Sequence, residues 1–475
     1  MESQHHVRTV VDDVRGKPAR PVLVLVSLVL VVASFQLNAT MLSPAVTDMA
    51  VKLDTNVGVI GWSSTIFLAV AAALAIFLPP FSDLVGRKKI LIISVSVMLI
   101  GTVIVLVSSS PAALIFGRAL QGFVGATFAL SNLTLHAMLE PKKYGLYIGI
   151  VAAMNAGVGG VDTLIGGVIV DTWGYKGIVW VILLVAILAL FLVLVAVPDT
   201  RVEGTGGMDW LGALTLTGSL WCANMALTLG FSTIGWSSFW TILFVAAAIV
   251  FSVGFYLQEK RAEVPLVSIQ ELKSRTTWGQ LGTTFFALAS AFSTLLYIVP
   301  AFSQDESGFA MSGTKSAFLY LMPFSLLGWA LSPLVGKVAP TVGYRKVLRL
   351  GLLGSVLLIC CIWLFGLTNE WVLFALSFLM GATYVAGTNT PLNTTGVLYA
   401  SEERPGVLPG LTSAAFNLGA GVGTGIMASI VSKSLSSGDL ISGYRAALIV
   451  GLVCAVAALL CSYLMPAKVG KDIRV

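Results

Sequence analysis

Two ionisable side chains stand inside long apolar runs: Arg118 in ALIFGRALQGFVGA (113–126) and Asp162 in GVGGVDTLIGGVIV (157–170). A charge within hydrocarbon is costly and persists only against a partner or a water-filled cavity, so each is a functional residue by default. The chemistry open to them is proton binding by the Asp162 carboxylate, with its charge sensed by the Arg118 guanidinium, biasing one conformation against another. The plainer reading makes Asp162 the counter-ion that lets Arg118 be buried. Among uncharged groups, Asn389 and Asn393 stand four apart around Pro391 and share a helix face. They either line a cavity and hydrogen-bond a polar solute or join neighbouring helices. Asn38, Asn155 and the mid-run Trp329 complete the candidate cavity set. Asn132 and Asn417 carry the same ambiguity, and the glycine-flanked Asn155 and Asn417 lean toward packing. Trp173, Trp210, Trp236 and Trp371 fall near run ends, where indoles gather at a membrane surface.

What positions these residues is a series of runs long enough to cross a bilayer. They fall near 22–45, 58–80, 90–109, 111–136, 144–170, 177–198, 210–231, 238–257, 276–301, 316–336, 347–366, 371–396, 407–432 and 444–465, fourteen in all. The composition agrees, with 57% hydrophobic and 11% charged residues over 475 positions. A soluble chain carries about a quarter charged, so this is an all-α polytopic membrane protein. The net charge of +6 is spread over short loops rather than gathered in a patch, which speaks for topology and against nucleic-acid binding. Alternate loops and tails hold 22 of the 28 Lys and Arg residues, the opposite set holds five, and Arg118 is the remaining one. The positive-inside rule then puts both termini in the cytoplasm of a cell-membrane protein. The run after the polar first 20 residues is too long for a signal-peptide core, and no cleaved leader is expected. Counted from the outer ends of their runs, Asn38, Arg118 and Asp162 lie about 10, 12 and 14 Å deep, nearly one level.

The fifth run is rich in small residues, with rows Gly149, Ala153, Gly157 and Ala152, Ala156, Gly160 at i, i+4 spacing. Such rows let helices approach closely in lipid. An internal echo is also present. FSDLVGRKK (81–89) follows the second run and GKVAPTVGYRK (336–346) the tenth, with Gly86 and Gly343 257 positions apart. MNAGVGG (154–160) and FNLGAGVG (416–423) set Asn155 and Asn417 262 apart. Near-equal offsets point to two related six-helix halves, the repeat architecture that flanks a midplane site in secondary transporters.

The five cysteines lie in apolar runs, and the three histidines fall in the N-terminal tail or at a run end. Neither set has metal-ligand spacing. No cofactor is expected. An enzyme would need a nucleophile, a metal or facing carboxylates, and none is visible. The chain has no GxxxxGK loop for nucleotide-driven pumping and no charge ring or filter loop for a channel.

These residues resemble the Major Facilitator Superfamily, in particular its fourteen-helix drug:proton antiporter branch, along nearly the whole chain. Asp83-Leu84-Val85-Gly86-Arg87-Lys88-Lys89 is similar to the family's cytoplasmic gating motif; read from the residues alone, it is a polar turn whose Gly86 allows the tight bend. Arg118, Gln121 and Gly122 in FGRALQG are similar to the fourth-span motif, whose arginine the family implicates in proton coupling. MDWLGAL (208–214), IGW (234–236) and EKRAEVPLV (259–267) resemble the branch's markers around two extra helices.

The resemblance implies a cytoplasmic tail (1–21), a six-helix bundle (22–198), two inserted helices (210–257) and a cytoplasmic loop (258–275). A second six-helix bundle (276–465) and a cytoplasmic tail (466–475) follow. Its partners would be protons, a small organic solute and the bilayer, with the chain working as a monomer. Two departures bear on the chemistry. The family's first span usually carries an acid two positions before a threonine, but here Asn38 precedes Thr40. The fifth-span antiporter motif usually has Gly-Pro ahead of a Gly-Gly pair; Gly166-Gly167 is kept, but the Gly-Pro positions are Asp162-Thr163. The acid thus reads as moved from the first span to the fifth. Export of drugs or metabolites by proton antiport leads the expectation, with symport uptake of a nucleoside- or sugar-like metabolite as the alternative.

Overall fold

Prolines and glycines punctuate the chain into helices. Pro21 and Pro111 open theirs at the first turn, where a missing N–H costs nothing. Ser110 and Asn369 cap theirs by accepting hydrogen bonds from backbone amides two or three residues on. The computed structural model describes residues 20–42, 45–55, 57–139, 141–200, 209–230, 235–262, 267, 273–401, 405–437 and 440–466, apart from some side chains inside helices. No strand occurs among them.

The long helices, in chain order, are α1 (Pro21–Met41), α2 (Val57–Val85), α3 (Arg87–Val107), α4 (Pro111–Met138), α5 (Pro141–Trp173), α6 (Tyr175–Ala196) and α7 (Trp210–Gly230). They continue as α8 (Phe239–Arg261), α9 (Arg275–Gln304), α10 (Gly313–Val342), α11 (Tyr344–Gly366), α12 (Glu370–Leu398), α13 (Val407–Ser437) and α14 (Leu440–Cys461). A short helix, Val46–Lys52, lies between α1 and α2. Among the described residues, twelve helices are long and apolar enough to cross a membrane. The expected fourteen crossings are therefore not reached by this measure. The twelve leave out α5 and α7. In α5, where the side chains of 155–160 and 163 lie outside the described residues, the described part gives two shorter apolar segments, Lys143–Met154 and Leu164–Trp173. Thr, Ser, Gly and Asn dilute α7.

Several helices change pitch. Five-residue π turns close α1 (Leu37–Met41), interrupt α9 (Leu288–Phe292 and Thr294–Ile298) and open α10 (Ala317–Leu321), while a nine-residue one runs through α12 (Gly381–Asn389). The i→i+5 pairing of such turns re-aims side chains, and they gather at functional sites.

Buried apolar side chains form two large cores. One draws on 24–197 and the other on 287–465. A third cluster from 41–182 fills the other end of the first half. α7 and α8 pack on each other, and α7 also touches α2 and α13. α8 presents Val250 and Leu243 outward, as a lipid-facing helix must. The echo between the halves extends to backbone angles. Gly86 and Gly343, before α3 and α11, have φ/ψ of 108°/131° and 102°/122°, a region open to glycine and strained for other residues.

Contacts between the halves are made by glycine. A Cβ on Gly145 of α5 would lie 2.2 Å from the Gly336 carbonyl oxygen of α10, and one on Gly149 2.6 Å from that of Ser332. Gly145 and Gly149 of α5 are thus turned to α10. At the corresponding end of α2 and α13, a Cβ on Gly406 would meet the Pro79 oxygen at 2.5 Å.

Candidate functional site

Arg118 is among the largest fully buried side chains of the described residues, and its charge is met by oxygens and a ring. Its Nη1 donates to the Asn38 carbonyl (3.1 Å) and to Gln121 Oε1 (2.9 Å). The guanidinium carbon stands 4.3 Å from the Phe67 ring centre, close enough for a cation–π contact. Gln121 Nε2 in turn donates to Thr102 Oγ1 at 3.0 Å. The fourth-span arginine is therefore tied to α1, α2 and, through Gln121, α3. Gly122 serves packing: a Cβ there would be 2.8 Å from the Phe67 carbonyl oxygen of α2.

Asp162 is 2% exposed, and Thr40 Oγ1 donates to its Oδ2. The approach that allows this contact comes one turn on, where a Cβ on Gly166 would sit 2.5 Å from the Met41 carbonyl oxygen. The π turn Leu37–Met41 thus serves both charged residues, with the Asn38 carbonyl on Arg118 and the Thr40 hydroxyl on Asp162. One helix turn links the two charges.

The gating-motif residues lie at the far end of α2. Arg87 Nη2 reaches Asp83 Oδ1 (3.2 Å), and Nη1 donates to the Leu133 carbonyl (2.8 Å). Asp83 Oδ2 accepts from the backbone N–H of Gly406 at 2.8 Å, immediately before α13. A carboxylate at a helix N-terminus is favoured by the helix dipole, so this bond pins one half to the other. Gly86 is hemmed in, since a Cβ there would stand 2.4 Å from Asp199 Oδ1.

A cavity of about 270 Å³ opens between the halves. Phe35 and Phe128 line it from the first half, and Phe292, Phe324 and Phe416 from the second. Its polar groups include Gln36, Thr40, Asn389, Asn393 and Asn417. Thr40 touches both the cavity and Asp162.

Of the candidate cavity residues, Asn389 and Asn393 line it. Asn38 and Trp329 are not among its lining residues. The π turn rotates Asn38 toward α3, where its Nδ2 meets the Ser34 carbonyl (2.8 Å) and Met98 Sδ (3.5 Å). Trp329 lies one turn beyond the lining Ser325 on α10, with its Nε1 buried. The Asn155 side chain lies outside the described residues. Asn417, read as packing, lines the cavity. Gln36, Thr40 and Tyr384 also line it, and sequence reasoning passed over all three as candidates. The only signal for Thr40 was its place two residues after the missing acid.

A multi-pass helical membrane protein with a polar, aromatic-walled cavity between its halves is of the solute-transporter class. The chain belongs to the Major Facilitator Superfamily, with residues 28–424 and 324–474 matching that family. It is 35% identical to the uridine/deoxyuridine transporter of Lactococcus lactis over 94% of each chain. It is 27% identical to the tetracenomycin C resistance and export protein of Streptomyces glaucescens, over 88% of this chain and 77% of the other. The crystal structure of the human organic anion transporter MFSD10 (TETRAN) superposes with a TM-score of 0.65 at 15% identity, covering 95% of this chain and all of that one. The chain is therefore a membrane-embedded transporter of small-molecule substrates, in a family of transporters rather than enzymes.

Proposed function

We propose that the protein takes up a pyrimidine nucleoside, uridine foremost, by proton symport and alternating access in the cell membrane. The observation that carries this reading is the cavity wall. Amides from both halves, Gln36 from the first and Asn389, Asn393 and Asn417 from the second, share the lining with phenylalanines, which suits a flat, polar, hydrogen-bonding solute. The similarity to a uridine/deoxyuridine transporter over nearly the full length supports it. So does the absence of Gly-Pro from the fifth-span motif.

In this reading Asp162 carries the coupling proton. Thr40 Oγ1 lies on the carboxylate and 2.8 Å from the Gln36 carbonyl. When Asp162 is ionised the hydroxyl donates to it. When Asp162 is protonated it donates to Thr40, whose own proton turns to Gln36. Both states keep their hydrogen bonds, and Gln36 and Thr40 line the cavity. Proton binding is thereby felt where the solute binds. Arg118 holds the same turn from the other side. Asp83, Gly86 and Arg87 act as the cytoplasmic latch.

The same reading has the chain cross fourteen times, as a monomer with both termini cytoplasmic. α5, at 33 residues, and α7, at 21, are long enough as continuous helices. The two bundles are 22–198 and 276–465, with 210–257 inserted between them. Drug export by antiport is the second reading, supported by resemblance to export proteins such as that for tetracenomycin C.

Vesicles separate the two. Right-side-out vesicles with an acid exterior should accumulate labelled uridine above equilibrium, and a protonophore should abolish the excess. Accumulation confined to everted vesicles with an acid interior would establish export instead.

A further inference from the structure

The nine-residue π turn of α12 carries a polar strip into the cavity. Its i→i+5 pairing shows in the Thr388 and Thr390 hydroxyls, which donate to the Thr383 and Val385 carbonyls five residues back. The same spacing brings Tyr384 and Asn389 toward one face, and the α-helical i, i+4 step adds Asn393. All three line the cavity.

The hydrogen bonds along this strip fix which atoms are left for a ligand. Asn393 Nδ2 donates to the Asn389 carbonyl (2.9 Å) and to Asn389 Oδ1 (2.7 Å). Only an NH₂ group can make both bonds, so the orientation of the Asn393 amide follows from the network. Asn389 must then present Oδ1 to Asn393, which leaves its Nδ2 pointing away. That Nδ2 and the Tyr384 hydroxyl are buried with no hydrogen-bond partner among the described residues, although both residues are 3% exposed or less. A buried donor without an acceptor is destabilising, and these two belong to residues of the cavity wall. Asn393 Oδ1 accepts from no described residue. The pair therefore offers one donor and one acceptor.

We infer that Asn389 and Asn393 read the imide edge of a uracil-type base, Asn389 Nδ2 donating to a ring carbonyl and Asn393 Oδ1 accepting from the adjacent ring N–H. This rests on the nucleoside reading above and names which base that site takes. A cytosine edge reverses both groups, presenting an amine where the carbonyl was and a bare nitrogen where the N–H was. Turning the Asn393 amide over to suit it breaks the bond to the Asn389 carbonyl, and turning the Asn389 amide over sets two NH₂ groups against each other. Tyr384, whose hydroxyl both donates and accepts, holds the ligand without choosing between the bases. Phe292, Phe324 and Phe416 supply faces for the ring.

The test uses the full chain in proteoliposomes, with labelled uridine uptake competed by uridine, cytidine and 3-methyluridine. Sites built to hydrogen-bond a ligand group discriminate strongly against analogues lacking it. Cytidine and 3-methyluridine should compete at least about 10-fold more weakly than uridine. Asn389→Asp replaces the donor with an acceptor of equal size and should narrow the uridine-over-cytidine ratio by about 10-fold or more. Tyr384→Phe should weaken both nucleosides alike and leave that ratio in place. Equal competition by 3-methyluridine in the wild type would overturn the assignment while leaving nucleoside transport standing. So would an unchanged ratio in Asn389→Asp protein that still transports. If Asn389→Asp does not fold, Asn389→Ser, which keeps a donor on a shorter arm, should lower uridine affinity and retain the ratio; a lost ratio there overturns the assignment. Absence of any uridine uptake by wild-type protein would sink the nucleoside reading and this one with it.

Discussion

The hydroxyl of Thr40 can serve Asp162 in either protonation state, and that symmetry is what a coupling site needs. Asp162→Asn keeps the size of the side chain and an acceptor for Thr40 but cannot bind and release a proton. Accumulation driven by a pH gradient should fall at least about 10-fold, while exchange of labelled for unlabelled uridine at zero gradient continues. An Asp162→Asn protein that still concentrates solute would end the proton role. Thr40→Val should impair the same driven uptake and Thr40→Ser should largely restore it, because only the hydroxyl is at issue. The two charges were legible in the sequence because ionised groups inside apolar runs are rare and costly. Their partners were not. A threonine in a helix can satisfy itself on a carbonyl one turn back, as Thr40 does on Gln36, so its presence announces nothing. Asn38 shows the converse. Its type suggested a cavity, and the π turn sends its side chain to Met98 instead.

At the level of helices, the contact between α1 and α5 hangs on one glycine of a pair. A Cβ at Gly166 would stand 2.5 Å from the Met41 oxygen, whereas at Gly167 it would meet nothing within 4 Å. Gly166→Ala must therefore push α5 off the π turn and stretch the Thr40–Asp162 contact. Gly167→Ala only adds a better helix former, worth about 0.5–1 kcal/mol in its favour. The expected outcome is loss of most driven uptake and a lower melting temperature for Gly166→Ala, with transport and melting of Gly167→Ala at or slightly above wild type. Equal behaviour of the two variants would refute this packing. The glycine pair was visible in the sequence, but which member matters depends on helix rotation, and an apolar run around Asp162 does not reveal that. Helix positions were read well from hydropathy, since nearly every expected run is a helix. The π turns were not, because i→i+5 pairing has no residue signature comparable to a cap or a proline.

At the scale of the whole molecule, the described residues of the two halves touch closely at the end read as cytoplasmic. There α5 meets α10 through Gly145 and Gly336, and α2 meets α13 through the bond from Gly406 to Asp83. The cavity lining lies farther along these helices than both contacts, which makes them the barrier on that side in the proposed cycle. Hydrogen bonds to a charged group contribute about 1.5–3 kcal/mol, and each 1.4 kcal/mol is a factor of ten in an equilibrium. Asp83→Ala removes that bond and leaves the Gly406 N–H without its acceptor. The balance should then move by about 10- to 100-fold toward the state open to the cytoplasm. A cysteine placed at Ser413, on the cavity wall of α13, reports on this once the five native cysteines are replaced. In everted vesicles, a membrane-impermeant thiol reagent should label it at least about 10-fold faster in the Asp83→Ala background. Gly145→Val should do the same by a different route, since its side chain cannot fit against the Gly336 carbonyl. Labelling at the wild-type rate in both backgrounds would mean that the barrier lies elsewhere. Acceleration by Gly145→Val alone would assign closure to the glycine contact and reduce Asp83 to holding Arg87.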